Sequence, residues 1–199
     1  GKDIITTIDL NIQELAHNSL VSKLKEFEAR FGTVIIMEVE TGNIKAMVNL
    51  GKLSSKIYIE DWNYAVYGNP LITGFKKMEP GSTFKLASYL AYFEDGGNVE
   101  DTINTFNGIY KVPNTKKNII DSEKNLGLIT YNEAFATSSN VGVARMILKN
   151  YNHNPTKFLN HINVFGLNEK SYIDLSNEPT PYIIHPEHSN WSEISLPWM

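Results

Sequence analysis

Apolar side chains recur at helical spacing through Ile12, Leu15, Ala16, Leu20, Leu24 and Phe27. Asp9, just ahead of them, suits a helix N-cap, because its carboxylate can accept from backbone N–H groups that the first turn leaves unpaired. Before it, Ile4-Ile5-Thr6-Thr7-Ile8 reads as extended chain. The pattern changes over residues 33–49, which are rich in Val, Ile and Met and are broken by the turn-forming Glu40-Thr41-Gly42-Asn43. That combination predicts a β-hairpin. Residues 51–81 keep no period and hold Gly68, Pro70, Gly74, Pro80 and Gly81. They read as a long connection, of the kind that often carries function in a compact domain.

A new apolar run, Phe84, Leu86, Leu90 and Phe93, predicts a helix that begins near Ser82 and stops at Gly96-Gly97. Residues 98–129 are loop-like, with Asn107-Gly108, Pro113-Asn114 and Gly127. Thr130 followed by Glu133 is a capping box that opens a helix through Phe135, and Val141 to Leu148 form another apolar helix. Asn154-Pro155 is an N-cap with proline at the first helical position, and Gly166 is a C-cap. The whole reads as one mixed α/β unit: helix and hairpin over 4–50, connection over 51–81, helical part over 82–199.

Composition narrows the functional classes. The 199 residues are 42% hydrophobic and 20% charged, ordinary for a globular domain. A net charge of -4, with 18 Lys and Arg spread along the chain, argues against a nucleic-acid partner. With no cysteine, disulfides, thiolate nucleophiles and zinc ribbons are excluded. No apolar run approaches the ~20 residues that span a bilayer, so no membrane contact is expected of these residues. His185 and His188 are spaced His-x-x-His, but Pro186 interrupts them, and a surface loop is the reading rather than a metal site. Neither metal nor cofactor is expected. Trp62, Tyr64 and Tyr67 either line a cleft or belong to a packed loop.

The densest chemistry lies in Glu79-Pro80-Gly81-Ser82-Thr83-Phe84-Lys85. Pro-Gly forces a turn, and the apolar helix follows at once, so Ser82 falls near a helix N-terminus where unpaired N–H groups favour developing negative charge. An acyl-transfer nucleophile needs that setting for its oxyanion. Lys85, three residues on, shares its face, and a neutral amine there can take the serine proton. Neutrality near pH 7 requires burial or a neighbouring cation to depress the lysine pKa. The spacing alone is common: Ser22-Lys23-Leu24-Lys25 repeats it in the middle of the first helix. Only Ser82 follows a Pro-Gly turn. Further on, Thr137-Ser138-Ser139-Asn140 sits between two helical stretches and could present a hydroxyl and an amide to a cleft. Equally, Ser138 or Asn140 could cap the Val141 helix.

Taken together and in this order, Ser82-x-x-Lys85 with its flanks and Ser138-Ser139-Asn140-Val141-Gly142 resemble the penicillin-binding proteins. These are serine acyltransferases that cross-link peptidoglycan and are trapped by β-lactams. Thr7-Ile8-Asp9 with Gln13 is similar to the entry of their transpeptidase domain, and Thr41-Gly42-Asn43-Ile44-Lys45-Ala46-Met47 resembles its first sheet strands. The resemblance implies the α/β transpeptidase fold shared with serine β-lactamases, here helix-rich in its second half. It implies a monofunctional DD-transpeptidase of class B, serving division or elongation. Ser82 would attack the D-Ala-D-Ala bond of a stem peptide, Lys85 would be the acylation base and Ser138 would relay the proton to the leaving group. Asn140 would hold the substrate amide, with Ser82 and Ser139 also in contact with substrate, and the Ser82 N–H would supply half of an oxyanion hole.

The same resemblance implies peptidoglycan stem peptides and β-lactam antibiotics as partners, and divisome or elongasome proteins for the full-length chain. It also implies an extracytoplasmic catalytic domain on a membrane anchor that these residues lack. The family's third motif, Lys-Thr-Gly or Lys-Ser-Gly, does not occur in these residues. The expectation is therefore a domain truncated before that strand, with little or no activity of its own. A β-lactamase or β-lactam sensor shares Ser-x-x-Lys, but Asn140 departs from the Ser-x-Val of sensor and oxacillinase types. A DD-carboxypeptidase shares all three motifs.

Overall fold

The computed structural model describes residues 3–29, 31–52, 64–66, 80–113, 115–174, 178, 180–192 and 195–196. Most of the 51–81 connection, with Trp62 and Tyr67, lies outside these, as does the Tyr64 side chain. The chain forms two compact units, one of residues 1–78 with 172–179, the other of residues 79–171 with 180–199.

In the first unit, helix α1 (Leu10–Glu26) starts where Asp9 Oδ1 accepts from the backbone N–H of Asn11 (2.9 Å) and Ile12 (3.2 Å). Strands β1 (Phe31–Met37) and β2 (Ile44–Lys52) form the antiparallel hairpin, with Val34 opposite Val48, and β3 (Tyr64–Val66) pairs with the end of β2. Gly42 turns the hairpin with φ +72°, a backbone setting that favours glycine. Ala16, Leu20 and Leu24 of the helix bury against Ala46, Val48 and Leu50 of the sheet. Leu15 and Phe27, part of the predicted apolar stripe, stay 67% and 69% exposed. The Gln13 amide docks α1 on the sheet: Oε1 accepts from Met47 N–H (2.8 Å) and Nε2 donates to Met47 O (2.9 Å).

The second unit begins with a 3₁₀ turn, Gly81–Phe84, that runs into α2 (Lys85–Glu94). Helix α2 buries Ala87, Tyr89, Ala91 and Tyr92, whereas Leu86, Leu90 and Phe93 of the apolar run that predicts the helix are 54%, 43% and 38% exposed. This helix is apolar on more than one side, and the tyrosines decide which side goes in: Tyr89 donates to Tyr131 O (2.7 Å) and Tyr92 to Asp101 Oδ2 (2.8 Å). Gly96 ends the helix at φ +79°, with Gly97 N–H returning to Tyr92 O (2.9 Å) as in a Schellman turn.

Residues 98–129, loop-like in sequence, contain four strands: β4 (Thr102–Asn104), β5 (Ile109–Lys111), β6 (Asn118–Ile120) and β7 (Leu128–Thr130), paired antiparallel as β4–β7 and β5–β6. Each is three residues long, too short to show an alternation. The capping box at Thr130 and Glu133 opens α3 (Tyr131–Ala136) as predicted, followed by α4 (Asn140–Tyr151) and the Asn154-capped α5 (Pro155–Val164). Tyr131, Met146, Ile147, Tyr151, Phe158 and Ile162 centre the core of this unit. A smaller cluster, Val112 and Ile119 against Val141 and Ala144, seats the β5–β6 hairpin on α4. No helix among the described residues is long and apolar enough to cross a membrane.

Candidate active site

Ser82 lies inside the 3₁₀ turn, not at the start of the α-helix, and Lys85 is the first residue of α2. The turn opens on Gly81 at φ +61° and is held by Thr83 Oγ1 donating to Pro80 O (2.6 Å). With three residues per turn, a 3₁₀ segment stacks residues i and i+3 more directly than an α-helix does. Ser82 and Lys85 therefore share one side, and Ser82 is exposed. The decoy pair, Ser22 and Lys25, falls in the interior of α1.

The Lys85 amine reaches across to the junction of α3 and α4. It donates to Ser138 O (2.5 Å), Ser138 Oγ (3.0 Å) and Asn140 Oδ1 (2.7 Å). No hydrogen bond joins it to Ser82. Burial lowers the Lys85 pKa from the ordinary lysine value, while the negative charge of Asp121 opposes that shift. Ser138 can serve either protonation state: its hydroxyl accepts from an ammonium, or rotates to donate to the lone pair of a neutral amine.

The junction is built by two adjacent caps. Ser138 occupies the left-handed position that ends α3, φ +53°, with its N–H on Phe135 O (3.0 Å) and Ser139 N–H on Ala134 O (2.8 Å). Glycine ordinarily fills that position, and a serine there carries strain of about 1–2 kcal/mol. Ser139 then caps α4, its Oγ accepting from Gly142 N–H (2.8 Å) while donating to Asp121 Oδ2 (2.8 Å). The helix cap is thus Ser139, neither Ser138 nor Asn140.

This also corrects the expectation that Ser139 touches substrate. Its residue surface is 1% exposed, and its hydroxyl is engaged both as donor and as acceptor. Asn140 turns its Oδ1 to Lys85 and donates from Nδ2 to Ile120 O (2.8 Å), which leaves one amide hydrogen for another acceptor. Gly142 is required for space: a Cβ there would lie 2.7 Å from Ala134 Cβ and 3.0 Å from Ser139 Oγ. Sequence reading missed Asp121, because an isolated Asp in a loop-like stretch gives no signal of what it faces. Among the described residues no cluster of three or more His, Asp or Glu could hold a metal ion, and the His188 ring accepts from Asn190 N–H (3.1 Å).

The site thus holds an exposed serine on the same side as a lysine, with that lysine tied to a second serine and an asparagine. Residues 32–196 match the family described as the penicillin binding protein transpeptidase domain, and the chain belongs to that family. It is 31% identical over 155 residues to the peptidoglycan D,D-transpeptidase FtsI homolog of Mesostigma viride, covering 71% of this chain and 24% of that one. To the peptidoglycan D,D-transpeptidase FtsI of Buchnera aphidicola it is 28% identical over 203 residues, covering 98% of this chain and 32% of that one. The chain thus spans about a quarter to a third of the length of these curated relatives. The apo transpeptidase domain of Burkholderia pseudomallei penicillin-binding protein 3 superposes with a TM-score of 0.73 at 20% identity, covering 99% of this chain and 52% of that one. The likeness establishes the mixed α/β transpeptidase fold expected from sequence.

Proposed function

We propose that this chain carries the serine centre of a peptidoglycan DD-transpeptidase, acting through an acyl-enzyme on Ser82. The observation that supports this best is the Lys85 amine, bonded to Ser138 and Asn140 and lowered in pKa by burial. Neutral Lys85 takes the Ser82 proton as the hydroxyl attacks the penultimate D-Ala carbonyl of a stem peptide. Ser138, whose hydroxyl is bonded to the lysine amine, passes that proton to the departing D-Ala nitrogen, and the free amide hydrogen of Asn140 holds the substrate backbone. An amine from a neighbouring stem then releases the acyl group. A β-lactam presents the same carbonyl but leaves no detached leaving group, so the acyl-enzyme persists. The substrate places this activity outside the cytoplasmic membrane. Division or elongation partners belong to the same reading.

Incubation with a fluorescent penicillin, followed by peptide mass spectrometry, tests this. Because the Lys-Thr-Gly motif does not occur in these residues, labelling is expected to be slow and partial, with the adduct on the peptide containing Ser82 and absent from that containing Ser22. A stable adduct elsewhere, or none, overturns the assignment, and rapid stoichiometric labelling overturns the expectation of weak activity. Release of D-Ala without cross-linking would instead identify a DD-carboxypeptidase.

The strained serine gives a second expected result. Ser138→Gly relieves the left-handed backbone, so urea unfolding should show stability unchanged or raised by about 1 kcal/mol. The same variant removes the proton relay, and acylation should slow about 100-fold. A loss of stability parallel to the loss of rate would refute the division of roles.

A further inference from the structure

We infer that Asp121 is a positioning residue for this reaction, clamping the Ser138–Asn140 turn beneath Lys85; the inference rests on the transpeptidase reading. Asp121 follows β6 and is 4% exposed, the one buried carboxylate among the described residues. It accepts from two points on either side of Asn140: Ser139 Oγ–H at Oδ2 (2.8 Å) and Val141 N–H at Oδ1 (2.8 Å). Ile120, its neighbour, accepts from Asn140 Nδ2 (2.8 Å). Three successive residues of the motif are therefore bonded to two residues of one strand end.

The carboxylate is itself fixed from behind. Asp121 N–H donates to Gly108 O (2.9 Å), and Gly108, at φ +85°, lets that backbone approach: a Cβ there would sit 3.3 Å from Asp121 Cβ and 3.0 Å from Glu123 O. A buried carboxylate needs strong donors, and a helix N-terminus provides them along with the positive end of its dipole. The consequence for chemistry is geometric. Ser138 and Asn140 flank Ser139, so fixing Ser139 and Val141 fixes the two side chains that hold the Lys85 amine. The groups facing Lys85 are Ser138 and Asn140 from the α3–α4 junction and Asp121 from the end of β6; of these only Asp121 is charged.

The test compares penicillin acylation by the wild-type protein with that of Asp121→Asn, Asp121→Ala and Ser139→Ala. Asparagine keeps an acceptor for Val141 N–H but cannot also accept from Ser139, and Ser139→Ala cuts the same link from the other side. Each should slow the acylation step about tenfold and Asp121→Ala about 100-fold, as expected for a small misplacement of reacting groups, with penicillin affinity before acylation little changed. Asp95→Asn is the control: Asp95 bonds Tyr151, Lys157 and His161 within the same unit, so its loss should lower the melting temperature but leave the rate per folded molecule unchanged.

Titration of Lys85 by NMR of ¹³C-labelled lysine gives a readout that needs no acylation. Removing the Asp121 charge should lower the Lys85 pKa, because that charge favours the ammonium. Wild-type acylation by folded Asp121→Asn and Ser139→Ala, or an unmoved Lys85 titration, overturns the assignment. Should the wild-type protein give no adduct on Ser82, the transpeptidase reading fails, and the Lys85 titration alone decides whether Asp121 governs the cluster.

Discussion

Lys85→Met is expected to slow acylation of Ser82 by a penicillin about 1,000-fold, the middle of the range for loss of a general base. Methionine approximates the length of lysine but cannot take a proton, and it leaves Ser138 O, Ser138 Oγ and Asn140 Oδ1 without their shared donor. Lys85→Arg separates charge from basicity. Arginine keeps the cation and can donate to the same acceptors, yet it does not deprotonate in the accessible pH range. The arginine variant should therefore be about as slow as the methionine one, and near-wild-type rates in it would remove Lys85 from the role of base.

The pH dependence has a fixed sign. With Lys85 as the proposed base, acylation by the wild-type protein should rise as Lys85 loses its proton, so that the rate climbs with pH through the folded-state pKa. Burial sets that pKa below the ordinary lysine value. Measuring the acylation rate constant against pH locates this limb, which should be missing in both variants.

Phe158→Ala is expected to remove about 3–5 kcal/mol of stability with little effect on the chemistry of the molecules that remain folded. Phe158 is 0% exposed, its ring packs 5.3 Å from that of Tyr151, and the core of the second unit surrounds it. Against a typical total of 5–15 kcal/mol, that loss takes much of the margin. The Lys85–Ser138–Asn140 cluster sits at the other end of α4: Asn140 begins that helix and Tyr151 ends it. Eleven residues at 1.5 Å per residue separate the two by about 16 Å. Urea unfolding should show a lower midpoint, and acylation per folded molecule should match wild type. A rate falling in proportion to the lost stability would mean that the core distorts the site. Lys85 and Phe158 thus predict opposite patterns, one a loss of rate, the other a loss of stability.

Local signals in the sequence carried far into the structure. The Asp9 cap, the hairpin turn at Gly42, the capping box at Thr130 and the Asn154-Pro155 start all depend on residues within four positions of one another, and all form as their chemistry requires. The same holds for Ser82 and Lys85, since a Pro-Gly turn before an apolar run fixes their spacing on one side. Short strands were not legible: β4 to β7 are three residues each and owe their pairing to partners up to 28 positions away. Which side of α2 is buried is not legible either, for a related reason. An apolar helix offers several faces, and only the Tyr89 and Tyr92 hydroxyls, reaching Tyr131 and Asp101, select one.

By itself, then, the sequence determined which residues are candidates for the chemistry: a serine after Pro-Gly, a lysine three positions on, and a Ser-Ser-Asn run between helices. Tertiary structure alone decided how they are joined. Lys85 bonds residues 53 and 55 positions away, Ser139 turns inward as a helix cap rather than toward substrate, and Asp121, silent in sequence, clamps the turn. The physical reason is the range of the forces involved. Caps and turns are set by backbone geometry within a few residues, whereas a buried carboxylate and a half-buried amine take their meaning from whatever the fold packs against them.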